Sequence, residues 1–93
     1  MDLQNQTPAM NQEIFKLALS VETISVYLIC CSLTDVDAPI STNNILGMWN
    51  STESTLMECL EILTNKNIIR RIISDSDGND VYLLTDADEW EPE

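Results

Sequence analysis

From Thr52 to Asn67 the apolar residues recur at helical spacing. Leu56, Leu60 and Leu63 stand at i, i+4 and i+7, which stacks them on one stripe of a helix. Ser54, Glu58, Glu61 and Asn65 fall on the opposite stripe. Ser51 or Thr52 suits the N-cap, and Asn67 stands where a left-handed C-cap residue is wanted. Upstream, VETISVYLICCSL (residues 21–33) is apolar on almost every side when wound as a helix. Val21, Ile24, Tyr27, Leu28 and Cys31 make one wide face, and Val26, Ile29 and Leu33 lie on the other. VYLIC alone could equally be a strand. Ser20 as an N-cap and the length of the segment favour a helix. A helix apolar all round is buried centrally or covered by a second subunit.

The remaining blocks are shorter. EIFKLAL (residues 13–19) predicts a short helix docking through Ile14, Phe15 and Leu17 to Leu19. TDVDAP is a turn, because Pro39 forbids the helix from continuing. Ser41 or Thr42 then caps a short helix carrying Ile45, Leu46 and Met48, and Gly47 and Asn50 allow a sharp turn after it. Trp49 is a core or rim residue at that turn. IIRRIIS and VYLLT flank SDGN and predict a β-hairpin. Residues 1–12 are expected to be loose, and DADEWEPE (residues 86–93) to be an acidic, frayed tail. Within that tail Trp90 either anchors in a partner's groove or folds back onto its own domain.

Ninety-three residues suffice for one small domain, and an apolar content of 44 % permits a packed, mostly aliphatic core. Charge changes the picture more. Sixteen acids oppose four bases, a net of -12 with no histidine. Residues 75–93 hold eight of those acids and no base. Such a chain repels phosphate backbones and anionic membranes. Its natural partners are basic or apolar protein surfaces. The plainer account of the acids is a solvated surface that keeps the protein dispersed. Cys30, Cys31 and Cys59 are odd in number, form no CxxC and sit in apolar surroundings, which predicts buried free thiols in a reducing compartment. With no leader or membrane span apparent in the sequence, a cytoplasmic protein is the expectation.

The segment Leu56-xxx-Leu60-xx-Leu63-xxx-Asn67-Ile68-Ile69, followed by Arg70-Arg71, a polar turn and VYLLT, resembles a winged helix-turn-helix domain of the MarR sort. LALSVETISVYLICCSL also resembles the opening helix of the N-terminal domain of DnaD-type primosomal proteins. The resemblance covers about residues 13–85 and rests on hydrophobic spacing. It implies an α+β fold, mostly α, of three to four helices and a C-terminal hairpin wing. Asn67 stands where the family usually has glycine, and Ser51 where it usually has a small apolar residue. No counterpart of the family's long terminal dimerisation helices follows residue 85.

In that family the exposed stripe of the third helix enters the major groove. Carried over, the stripe is Ser54, Glu58, Glu61 and Asn65, flanked by Glu53 and Met57. Carboxylates there oppose phosphate, and phosphate contacts supply most of the affinity of such complexes. The expected function is therefore an acidic winged-helix protein-interaction module, regulatory or nucleic-acid-mimicking. It would dock on a basic or apolar partner protein in transcription, replication or defence. The expected contacts are Glu53, Met57, Glu58 and Glu61, extended by Asp75, Asp77, Asp80 and Trp90. The alternative is a DNA-binding regulator using Ser54, Lys66, Arg70 and Arg71, dimeric through residues 21–33. The plainer account of the two arginines is that one pairs with a nearby acid and the other lies over the sheet. No cofactor or metal is expected. DSDGND departs from a calcium loop, with Gly78 at position 4 and Asp86 at position 12 counted from Asp75. No enzyme is expected either, since no serine or cysteine stands beside an evident general base.

Overall fold

The computed structural model describes residues 10–74 and 78–91. It is a small, mostly helical α+β fold with three α-helices and a three-stranded antiparallel sheet. The expected wing acids Asp75 and Asp77 lie outside the described residues.

Helix α1 spans Val21–Asp35. Ser20 caps it, its hydroxyl accepting the Thr23 N–H at 3.2 Å. The helix runs two residues past the expected end and closes in a Schellman turn. There Ala38 N–H reaches the Leu33 carbonyl at 2.8 Å, Asp37 N–H reaches the Thr34 carbonyl, and Asp37 takes φ 61°. Helix α2 spans Thr42–Met48 with Ser41 as its cap. Helix α3 spans Glu53–Asn65, and Thr52 caps it. The Trp49 indole N–H donates to the Thr52 carbonyl at 2.9 Å, across the linker between α2 and α3. The close of α3 repeats that of α1: Ile68 N–H reaches the Leu63 carbonyl, and Asn67 sits at φ 60°.

Strands β2 (Ile69–Ile73) and β3 (Val81–Leu84) form the expected hairpin. A bulge interrupts the register between Arg71 and Ile73. A third strand, β1 (Ile40–Ser41), pairs with β3, so the sheet order is β1-β3-β2. Two residues are too few for a periodicity to reveal. The pairing nevertheless draws the start of α2 onto the hairpin. Thr42 N–H donates to the Asp80 carbonyl at 2.9 Å, the Thr42 hydroxyl accepts the Asp80 N–H at 3.2 Å, and Asn43 N–H donates to Asn79 Oδ1.

One apolar core joins these parts. Val26, Tyr27 and Cys30 of α1 meet Leu56, Leu60 and Leu63 of α3, with Ile45, Ile68 and Ile69 packed around them. Helix α1 is central, one of its two expected settings, and Val21 and Leu28 are exposed on this chain. Two expectations change. Residues 12–16 form only a 3-10 helix, and Ala18 at φ 56° stops it; Ile14 is buried, while Phe15 points outward. The tail does not fray over its described part. Residues Ala87–Glu89 make a 3-10 helix, and Trp90 enters the core at 9 % exposure.

Among the described residues no helix is long and apolar enough to cross a membrane.

Candidate functional site

The outward stripe of α3 arises from its own periodicity. Leu56, Cys59, Leu60 and Leu63 are drawn into the core, so Glu53, Ser54, Met57, Glu58, Glu61 and Asn65 stay exposed. No lysine or arginine occurs between Glu53 and Asn65. Sequence reasoning placed this stripe correctly.

Beside it, α3 and the sheet enclose a groove of about 360 Å³, lined by Met57, Leu60, Glu61, Thr64, Asn65, Arg71 and Tyr82. Met57 and Leu60 give it apolar lining, and Glu61, Thr64, Asn65, Arg71 and Tyr82 bring polar groups to it. The Thr64 hydroxyl is turned inward, donating to the Leu60 carbonyl at 2.7 Å. The Tyr82 phenol is raised above its ordinary value, first by burial and then by Asp80. It therefore remains a neutral hydroxyl. Tyr82 went unnoticed as a groove residue, although strand alternation in VYLL places it with Leu84 on the inner side.

The four expected nucleic-acid contacts, three cations and Ser54, divide. Arg71 pairs with Asp80 at 3.2 Å, and Arg70 pairs with Glu89 at 2.8 Å. Both arginines thus have carboxylates of the same chain beside them. Lys66 is the C-cap of α3 and half-buried, and its carbonyl accepts the Glu91 N–H at 2.7 Å. Ser54 stands alone with the glutamates.

Two residues expected to extend the contact face do not lie on it. Asp80 is 7 % exposed, held by Arg71 through its carboxylate and by Thr42 through its backbone. It clamps the returning arm of the hairpin to α2. Trp90 packs edge-on against Tyr27, with ring centroids 6.0 Å apart. The expectation of Trp90 as an outward anchor gives way to folding back, because burying an indole removes more apolar surface from water than leaving it among solvated acids.

The thiols are buried. Burial pushes Cys30 up to about 12 and Cys31 to about 11, and Thr23 donates its hydroxyl to Cys59 Sγ at 3.6 Å. Cys30 and Cys31, kept neutral in these places, are packing groups rather than nucleophiles. Among the described residues no cluster of three or more histidine, cysteine or acidic side chains could hold a metal ion.

Comparison with known protein families, curated proteins and solved structures finds no match to this chain.

Proposed function

We infer that the chain is an acidic winged-helix module that binds a basic partner protein through α3 and the adjacent groove, and that it works by binding rather than catalysis. The order α1-β1-α2-α3-β2-β3, with a hairpin after the helix bearing the exposed stripe, supports the winged-helix reading. The observation that carries the function is the charge of that stripe. Glu53, Glu58 and Glu61 stand exposed with Met57 between them, on a helix with no base.

A duplex offers one negative charge per about 1.7 Å of its axis, and a protein gains affinity by neutralising those charges. Here the arginines at the root of the hairpin are already beside carboxylates. A lysine- or arginine-rich protein surface suits the stripe instead. Met57 and the groove lining supply apolar contact, and the glutamates supply long-range attraction and orientation. That partner chemistry suits a regulatory or nucleic-acid-mimicking role in transcription, replication or defence.

The test pairs two measurements on the wild type and on a Glu58→Lys/Glu61→Lys variant. Pull-down from the native cell is expected to retain a basic protein with the wild type and to lose it with the variant. Duplex DNA is expected to run unshifted with the wild type at physiological salt. A sequence-specific duplex shift by the wild type, weakened by Arg70→Ala or Arg71→Ala, would establish the DNA-binding reading in its place.

A further inference from the structure

The sheet has a second face, and its composition departs from what one core explains. An antiparallel sheet covered on one side alternates apolar residues inward with polar residues outward. Ile69, Tyr82 and Leu84 turn inward here. The outward positions are also largely apolar: Ile72 is 50 % exposed, Ile73 55 % and Leu83 39 %, with Val81 beside them. Ile72, Val81 and Leu83, with Tyr82 of the same strand, border an open groove of about 430 Å³, whose other wall is the turn after α1 from Asp37 to Ile40, with Thr34 before it.

The rim identifies the occupant. Asp37 lines the groove, held in place by the Schellman turn that puts it at φ 61°. Asp37 stands just past the C-terminus of α1, where the helix dipole adds negative potential to its carboxylate. Among the described residues the cation on this face is Arg70, which lies opposite Leu83 and is joined to Glu89. A second copy would bring another net charge of -12 and the same acidic rim. An anionic lipid surface is disfavoured for the same reason.

We propose that this outer-sheet groove is a second docking site, which takes a peptide segment of a partner protein bearing apolar anchors flanked by lysine or arginine. The anchors lie on Ile72, Val81 and Leu83, and a flanking cation meets Asp37. The site is on the opposite side of the sheet from the α3 groove. The module can therefore hold two basic segments at once, and this proposal stands or falls separately from the α3 reading.

The probes are two synthetic peptides with the same leucine anchors, one flanked by lysines and one by glutamates, titrated into the isotope-labelled full chain and followed by amide shifts. The lysine peptide is expected to move the amides of Ile40, Ile72, Val81 and Leu83, and the glutamate peptide to move none. An Ile72→Ser/Leu83→Ser variant is expected to weaken binding at least about tenfold, the loss that burying one aliphatic side chain supports. Asp37→Asn is expected to weaken it several-fold, and Glu58→Lys/Glu61→Lys to leave the shifts at this groove in place. All the altered side chains are exposed, so an unchanged thermal midpoint confirms the fold of each variant. The proposal is overturned if neither peptide binds, if both bind alike, or if the shifts map to α3. A wild-type dimer that Ile72→Ser/Leu83→Ser dissolves would overturn it in favour of a second copy as occupant.

Discussion

Arg70 and Arg71 are neighbours in sequence and face opposite sides of the sheet. Strand alternation sends Arg71 to the α3 groove and Arg70 to the outer face, so each meets a different acid, Asp80 and Glu89. The Arg70 pair is about half exposed and contributes at most about 1 kcal/mol. The cysteines give the clearest prediction at this scale. Cys30 is raised from near 9 to about 12 by burial, with Cys31 adding to it. In the unfolded chain the thiol loses its proton near its ordinary value, while in the folded chain it keeps it. The folded state then binds more protons between those values, so stability falls as pH rises above about 9. Below that pH both states hold the proton and the group is neutral to stability. Urea unfolding is expected to show a lower midpoint at about pH 10 than at neutral pH. Cys30→Ala, though less stable throughout, is expected to lose less between the two. An identical loss in that variant would assign the alkaline sensitivity elsewhere.

The helices show how local signals set their own limits. Ser20, Ser41 and Thr52 each accept an N–H from the third residue on; the sequence marks Ser20 directly and narrows the others to Ser41 or Thr42 and Ser51 or Thr52. The C-terminal ends were half legible. Asn67 was expected in the left-handed region and is there. Asp37 has the same conformation, where the sequence predicts only a turn ending at Pro39. Aspartate tolerates that region at a cost that glycine avoids. Asp37→Gly is therefore expected to raise stability by up to about 1 kcal/mol, and Asp37→Val to lower it by about 1–2 kcal/mol, in urea denaturation. Asn67→Gly is expected to gain less, because it also removes the bond from Asn67 Nδ2 to the Glu89 carbonyl at 2.9 Å. Equal effects of Asp37→Gly and Asp37→Val would contradict the backbone argument. Strand β1 shows the limit of such reading. Its two residues become a strand only because Tyr82 and Val81 stand beside them.

At the scale of the molecule, Tyr27 gathers both ends of the described chain. Its hydroxyl accepts the Asn11 N–H at 3.0 Å, and its ring takes the edge contact of Trp90. Burial pushes its phenol up to about 12, so it stays neutral in that role. The C-terminal residues are also tied down by Arg70–Glu89 and by Glu91 N–H to the Lys66 carbonyl. Trp90 Nε1 is buried without a hydrogen-bond partner among the described residues, which costs about 1–3 kcal/mol against the area its ring buries. Trp90→Ala is expected to destabilise by about 3–5 kcal/mol, a large share of what a small domain has. Trp90→Phe is expected to lose much less, since it keeps a ring and removes the orphan donor. Denaturation followed by circular dichroism measures both. An unchanged midpoint in Trp90→Ala would mean that the C-terminal segment contributes nothing to the fold.

The sequence by itself determined the three helices, the hairpin, the core stripe of α3 and the acidic face opposite it. Those features depend on residues a few positions apart, where periodicity and caps act directly. Only the tertiary structure decided the partners of Arg70, Arg71 and Asp80, the third strand and the burial of Trp90. Each of these depends on groups distant in the chain, and no local pattern records which of several acids a cation will meet. The apolar outer face of the sheet belongs to both scales. The alternation of IRRII and VYLL was readable, but only the packed sheet showed which of its sides the core leaves uncovered.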